Sequence, residues 1–148
     1  IYSSEQHQLT VLPKLAEKAH SASLRSDIND YIRVKEENID RIKQSFHEMG
    51  LSPRGNKCEI IESLVNNCQS VVGHSAEQHV ADAGLISTLQ LINHFNIASY
   101  GTAASYARTL EQDDVSRLLH DALNDEKETD DRLSHIAEET INPAAILV

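Results

Sequence analysis

The spacing of apolar residues along the chain predicts four long amphipathic helices and one shorter helix. In each of them apolar side chains recur at steps of three and four, which places them on one face of a helix. The long helices are predicted over about residues 2–21, 24–49, 76–110 and 113–140, and the shorter one over 58–72. Pro13 lies inside the first helix, and Gly50 ends the second. Gly101 lies inside the third, where we expect close helix packing or a kink.

The order of these helices predicts a single all-α domain over residues 1–148, namely an up-down four-helix bundle of the ferritin-like type. The short helix lies in the long connection between the second and third long helices, where it forms the crossover. A chain of 148 residues fits one core, and five glycines, three prolines and few aromatics do not favour a sandwich or barrel. The apolar end of the chain, residues 144–148, is a candidate for docking on the bundle or on a partner subunit.

Charge and composition exclude several functional classes. The net charge of -10 argues against binding to nucleic acid, which requires clustered Lys and Arg. No apolar run is long enough to span a membrane, and the first residues lack the order of a signal peptide, so we expect a cytoplasmic protein. The absence of an initiator methionine is consistent with a short native stretch before Ile1. No phosphate-binding loop or nucleophile motif supports hydrolase or kinase chemistry, and the sequence favours a protein that is not an enzyme.

Polar residues interrupt the apolar faces of all four long helices. They are Glu5 in the first helix, Lys35 in the second, Asn93 and Asn96 in the third, and Glu126 in the fourth, with Asp130 one turn beyond Glu126. In a bundle these side chains could converge at one level. Because an unpaired buried polar group costs about 1–3 kcal/mol, such a layer must be satisfied by its own members, by water or by a metal ion.

Three arrangements of this layer are compatible with the residues. Bundles that hold a di-iron or di-manganese centre supply a carboxylate from each of two helices and Glu-x-x-His from the other two. Here the acidic candidates for metal ligands are Glu5, Glu126 and Asp130, beside two neutral amides and Lys35. The layer could be a salt-bridge and amide network, a weak site for one metal ion, or a full dinuclear centre. Four positive charges from two ions would exceed the available carboxylates beside a lysine, which favours the network without any cofactor.

Other polar residues near the layer have two interpretations each. His94 could reach a cation or bond a neighbour, and Tyr2 and Tyr100 could donate their hydroxyls to the layer or pack in the core. His74 and His79 bracket the start of the third long helix, where we expect them to cap it or face solvent.

Four segments resemble a known family in their order and residue types. They are YSSEQ at residues 2–6 with LPKLAEKA at 12–19, HFNIASYGTA at 94–103, and LNDEKETDDRL at 123–133. The set resembles the YciE/YciF family of ferritin-like, stress-associated bacterial proteins over nearly the whole chain. The resemblance implies a ferritin-type bundle that is usually a homodimer.

The resemblance also indicates which of the family's acidic positions are retained. Glu5, Glu126 and Asp130 match them, whereas Asn93 and Asn96 stand where the family pattern has glutamates. On the second helix the family's Leu-Glu-Glu-Thr region aligns with residues 32–35, so its carboxylates are replaced and a lysine is added. Both changes make this level of the bundle more positive, which indicates that the metal site of the family has been altered here.

The expected function is therefore that of a stress-associated bundle with a degenerate di-metal site, non-catalytic and acting through assembly or partner binding. The alternative is an iron- or manganese-binding oxidoreductase or iron-handling protein that uses Glu5, Glu126 and Asp130.

Overall fold

The computed structural model describes residues 1–74 and 77–146, and these form helices joined by short segments, with no strand among them. The elements are α1 (Tyr2–Lys18), α2 (Ala22–Glu48), α3 (Glu59–His74), α4 (Gln78–Thr109), α5 (Asp113–Ile136), a π-helix (Ala137–Ile141) and α6 (Asn142–Ile146). The predicted helical bundle with its crossover helix is confirmed. The predicted start of the third long helix, Ala76, lies outside the described residues.

The long helices pack in the order α1, α2, α5 and α4. Each neighbouring pair is antiparallel. Between α1 and α2, Arg25 contacts Ala19 and Lys35 contacts Glu5; between α2 and α5, Tyr31 contacts Glu126 and Ile42 lies near Leu119. Between α5 and α4, Ser134 contacts Gln90 and Ser116 contacts Ala104. Consequently α2 and α4 run in the same direction. This arrangement requires a crossover between them, as in ferritin-like bundles, and α3 provides it while packing on α4 and α1.

The first helix ends three residues earlier than predicted because a carboxylate from α4 binds the next backbone amides. Asp82 accepts hydrogen bonds from the backbone amides of His20 at 2.8 Å and Ser21 at 2.7 Å. Ala19 and Ser21 are extended, with ψ of 123° and 126°. The Ser21 hydroxyl in turn accepts from the amide of Leu24 and so caps α2. Asp82 thereby fixes the sharp junction between α1 and α2.

The last predicted helix also differs from the structure in its C-terminal part. The α-helix ends at Ile136 and the chain continues as the π-helix before α6. The π-helix contacts α4 and α5, and α6 contacts the π-helix and α4, so part of the apolar end docks on its own bundle. Ile146 is 81% exposed, and Leu147 and Val148 lie outside the described residues.

Two apolar clusters form the interior. The first contains parts of α1, α2, α4 and α5, together with Ile61, Val65 and Cys68 of α3. The second lies toward the other end of the bundle and includes Ile42, Tyr100 and Leu123. In each long helix the polar residues predicted above fall near the boundary of these clusters. The described helices include none with the length and apolar character needed to cross a membrane.

The expectation of close helix packing at Gly101 is wrong. A Cβ added at Gly101 would meet Leu123 at 3.8 Å, which is an ordinary contact. The α4 helix is also continuous from Gln78 to Thr109. The glycine therefore carries the usual helix-propensity penalty without a packing reason.

Candidate functional site

The predicted polar layer forms in the interior of the bundle. Glu5, Lys35, Asn93, Asn96 and Glu126 are each at most 2% exposed. The Lys35 ammonium lies 2.5 Å from Glu126 Oε1 and 3.1 Å from Glu5 Oε1. A single lysine thus bridges two buried carboxylates that come from the first and last long helices.

Glu126 is the most completely bonded member of the layer. Besides Lys35, its carboxylate accepts hydrogen bonds from the Tyr31 hydroxyl at 2.8 Å and the Asn38 amide at 3.0 Å. The Asn93 amide donates both to Glu126 Oε2 and to the Glu126 backbone carbonyl, each at 2.9 Å. Every one of these partners is a donor, so the surroundings of Glu126 suit an ionised carboxylate.

A pair of amides closes the layer between α1 and α4. Gln8 and Asn96 exchange two hydrogen bonds, at 3.0 Å and 2.9 Å. Gln8 also donates to the Ser4 hydroxyl, and Asn96 donates to the Tyr31 hydroxyl at 3.1 Å. These bonds satisfy polar groups that would otherwise be buried without partners.

Glu5 is less completely satisfied than Glu126. Its Oε2 atom and the Tyr100 hydroxyl are both buried without a hydrogen bond of good geometry to any described residue. Burial raises the pKa of Glu5, although nearby Lys35 acts to lower it and Tyr100 does so more weakly. Burial and the neighbouring Glu5 likewise raise the pKa of Tyr100. Tyr100 therefore packs in the core as part of the second apolar cluster, with its hydroxyl near Glu5.

The neighbours of Lys35 favour its protonated, charged form. Burial acts to lower the pKa of Lys35, but the carboxylates of Glu126 and Glu5 outweigh it and raise that pKa above its ordinary value. The ammonium also lies 4.5 Å from the centre of the Tyr31 ring, within range of a cation–π contact. The lysine is accordingly an ammonium ion in the folded protein.

Two residues considered for the layer lie outside it. Asp130 is partly exposed and pairs with the Nε2 atom of His94 at 3.2 Å, so the structure does not bring Asp130 to Glu5 and Glu126. Asp130 lies one turn after Glu126 on α5, and the carboxylate of Asp130 lies toward the bundle surface. Tyr2 instead packs edge-on against Phe46, with ring centres 6.3 Å apart.

The residues of the layer do not fit the dinuclear metal centre known in bundles of this type. That centre takes a carboxylate from every helix and two histidines, whereas the layer has two carboxylates, no imidazole, and an ammonium between its acids. Within residues 1–74 and 77–146, no group of three or more His, Cys, Asp or Glu side chains is arranged to hold a metal ion.

Several members of the layer were not predicted from the sequence. Tyr31 and Asn38 lie four residues before and three residues after Lys35, and Gln8 lies three residues after Glu5. These are the spacings that place side chains on one helix face. Their spacing from Lys35 and Glu5 indicates that they belong to the layer. Tyr31 also fits an apolar stripe, however, and Gln8 also fits a solvent-exposed face, so the sequence alone did not identify them.

Comparison with known proteins identifies the family. The model of a domain of unknown function, DUF892, matches residues 1–146. Protein YciF of Escherichia coli (strain K12) is 32% identical over 145 residues, which cover 97% of this chain and 87% of YciF.

Solved structures agree with this result. The crystal structure of the E. coli stress protein YciF superposes with a TM-score of 0.90 at 31% identity, covering 95% of this chain and 89% of that one. The structure of YcfI from Rhodopseudomonas palustris, for which a structural role has been suggested, superposes with a TM-score of 0.88 at 32% identity, covering 90% and 85%. The chain belongs to the DUF892 family and is homologous to YciF.

Proposed function

We propose that this DUF892 protein is a non-catalytic, stress-associated bundle that acts through assembly, and that a lysine takes the place of the metal centre of related folds. The observation that carries this proposal is the position of Lys35 between Glu5 and Glu126. The association with stress is taken from YciF, which is described as a stress protein.

The charges of the layer support a structural role for it. A divalent ion at this level would lie beside the Lys35 ammonium, and the oxygens of Glu126 already accept several hydrogen bonds. Its binding would require the lysine to leave or to lose its proton, and the raised pKa of Lys35 opposes that loss. The layer thus stabilises the bundle interior without a bound ion.

Metal analysis tests this role. Protein purified without chelators should contain far less than one equivalent of iron or manganese per chain. Two equivalents would overturn the proposal and favour the alternative of an iron- or manganese-dependent protein. In that case Glu126→Ala should abolish the bound metal, whereas Asp131→Ala on the outer surface should leave it unchanged.

The outer face of α4 is the surface that we propose for assembly. From residue 83 to 107 the chain has no Asp, Glu, Lys or Arg, although its net charge is -10. On this face Leu91 is 52% exposed and Tyr106 67% exposed, and Phe95, Ala98 and Thr102 lie between them along a shallow groove. The crossover helix α3 packs on the cluster nearer the start of α4, and Ala98 and Tyr106 of the groove are exposed.

A second copy of the chain is the partner that this face fits best. Two molecules of the same negative charge approach most easily across an uncharged surface. About a two-fold axis near Ala98 and Ser99, Leu91 would lie opposite Tyr106 and Phe95 opposite Thr102. Small residues at the centre with large ones at both ends give the self-complementary shape that a two-fold dimer needs.

The oligomeric state tests the proposed surface. Sedimentation and light scattering should find a dimer for the unmodified chain and a monomer for Ala98→Glu, because the variant places two carboxylates across the axis. Gln44→Glu adds the same charge to the exposed side of α2 and should remain dimeric. A dimer for Ala98→Glu, or a monomeric unmodified chain, would exclude this interface.

A further inference from the structure

An apolar cavity of about 230 Å³ opens at the end of the bundle where α1 begins, α2 ends and α5 begins. Its inner wall is formed by Ile42, Val115 and Leu119, which belong to the second apolar cluster and are each at most 8% exposed. The edge-on rings of Tyr2 and Phe46 complete the wall. The cavity has no part in the proposed function.

We propose that this cavity binds a medium-chain monocarboxylate, with the alkyl chain among the apolar walls and the carboxylate on Arg54. An apolar cavity of about 150 Å³ holds benzene. In proportion, the 230 Å³ of this cavity accommodates about nine carbon-sized atoms. The alkyl chain of octanoate is of this size, and it leaves the carboxylate at the mouth of the cavity.

Arg54 supplies the charge that a carboxylate requires. It is an exposed residue of the cavity lining, and it has no carboxylate partner among the described residues. Other arginines of this acidic chain do pair with neighbouring carboxylates, namely Arg33, Arg41, Arg117 and Arg132. Because a guanidinium can donate two parallel hydrogen bonds to the two oxygens of a carboxylate, Arg54 can bind the polar end of such a ligand.

Two glycines fix the backbone on either side of Arg54. Gly50 follows the end of α2 with a φ of 67°, and its amide donates to the His47 carbonyl at 2.9 Å, which turns the chain away from the helix. A Cβ added at Gly55 would lie 3.0 Å from Ser3, so the backbone next to Arg54 lies directly against the start of α1. The segment is thus in place beside the cavity before a ligand binds, which limits the entropy lost on binding.

The walls favour hydrocarbon over a polar ligand. The hydroxyl of Ser45, which also lines the cavity, donates to the backbone carbonyl of Arg41 at 2.9 Å and is therefore already satisfied. The described residues that line the cavity include no Asp or Glu, so a bound carboxylate meets no like charge there. An apolar cavity with one polar group at its edge is typical of sites for small amphipathic molecules.

Isothermal titration calorimetry with octanoate tests the site. One octanoate should bind per chain, and the affinity should fall by about tenfold in Arg54→Gln, which loses a charged hydrogen-bond donor. Arg108→Gln removes an exposed arginine at the same end of the bundle but outside the cavity, and it should bind like the unmodified chain. Undiminished affinity in Arg54→Gln, or an equal loss in the control, would overturn the site.

A second ligand tests the role of the charge. 1-Octanol has the same alkyl chain as octanoate but no carboxylate, so it should bind to the unmodified chain about tenfold more weakly. Arg54→Gln should leave its affinity unchanged. Octanol that binds as tightly as octanoate would contradict the assignment of a carboxylate ligand.

The position of the bound ligand can be measured at Met49, the one methionine of the sequence, which lines the cavity. In nuclear magnetic resonance spectra of protein with ¹³C-labelled methionine methyl groups, octanoate should shift the Met49 signal until the site is saturated. Met49→Leu assigns that signal by removing it. A Met49 signal that does not move at saturating octanoate would refute the cavity as the site.

Ser45→Leu tests the cavity itself, because the larger side chain should fill the space that the alkyl chain occupies. This variant should lose both the calorimetric binding and the shift of the Met49 signal, and its circular dichroism melt without octanoate checks that it is folded. Undiminished octanoate binding in folded Ser45→Leu would likewise exclude the cavity.

Discussion

Replacement of Lys35 by methionine is the sharpest test of the buried layer. Methionine keeps most of the apolar length of the lysine side chain and removes the ammonium, so Glu5 and Glu126 lose their shared cation. The folded variant must then bind one more proton than the unmodified protein to avoid an extra buried negative charge. At pH 7 that proton must be placed on a group whose ordinary pKa is 4.5.

The expected loss of unfolding free energy follows from the difference between the pH and this ordinary pKa. Each pH unit above the ordinary pKa adds about 1.4 kcal/mol, so Lys35→Met should lower the free energy of unfolding by about 3 kcal/mol at pH 7. This agrees with the roughly 3–5 kcal/mol found when one partner of a buried pair is removed. At pH 5 the loss should fall below about 1 kcal/mol, because the proton is then easily supplied.

Urea unfolding followed by circular dichroism at both pH values measures these losses. Lys43→Met is the control, since Lys43 is half exposed and pairs with Asp40 on the surface. Its effect should stay within about 0.5 kcal/mol. A loss below about 1 kcal/mol at pH 7 for Lys35→Met, or the same loss at both pH values, would refute the reasoning.

Three further changes test other features of the structure. Burial raises the pKa of Glu5, so above pH 4.5 the folded chain holds more protons than the unfolded chain. The free energy of unfolding therefore falls as the pH rises above 4.5. Glu5→Gln should remove that decline in urea unfolding at several pH values, and an unchanged pH dependence would contradict it. Gly101→Ala should raise the unfolding free energy by about 0.5–1 kcal/mol, because it adds helix propensity and no clash; a lower melting temperature would show that the packing argument is wrong. Asp82→Ala should cost about 1–3 kcal/mol by leaving the amides of His20 and Ser21 without an acceptor, and an unchanged melting temperature would mean that water replaces the carboxylate.

The bundle could be predicted from the sequence because its evidence is periodic and repeated along the chain. Apolar spacing gave the four long helices and the crossover, and the polar interruptions gave Glu5, Lys35, Asn93, Asn96 and Glu126 as one layer. Each of these residues departs from an otherwise apolar stripe, which is a signal that needs no knowledge of the tertiary structure.

Features set by contacts distant in sequence could not be predicted in this way. The end of α1 depends on Asp82, which lies 61 residues beyond Ser21. Asp130 has the helix spacing of a layer residue, but its partner is His94 at the surface. The π-helical turn after Ile136 likewise departs from the regular helical spacing on which the prediction of the last helix rests.

The buried layer between the two apolar clusters affects how the four helices align with one another along their axes. Stripes with a 4-3 repeat look nearly the same after a slide of one turn, about 5.4 Å, so apolar contacts alone distinguish such slides poorly. A slide of α5 would carry Glu126 away from Lys35, Tyr31 and Asn38 and into aliphatic surroundings. The layer therefore acts as a register mark that selects one alignment of the four helices among several of similar apolar burial.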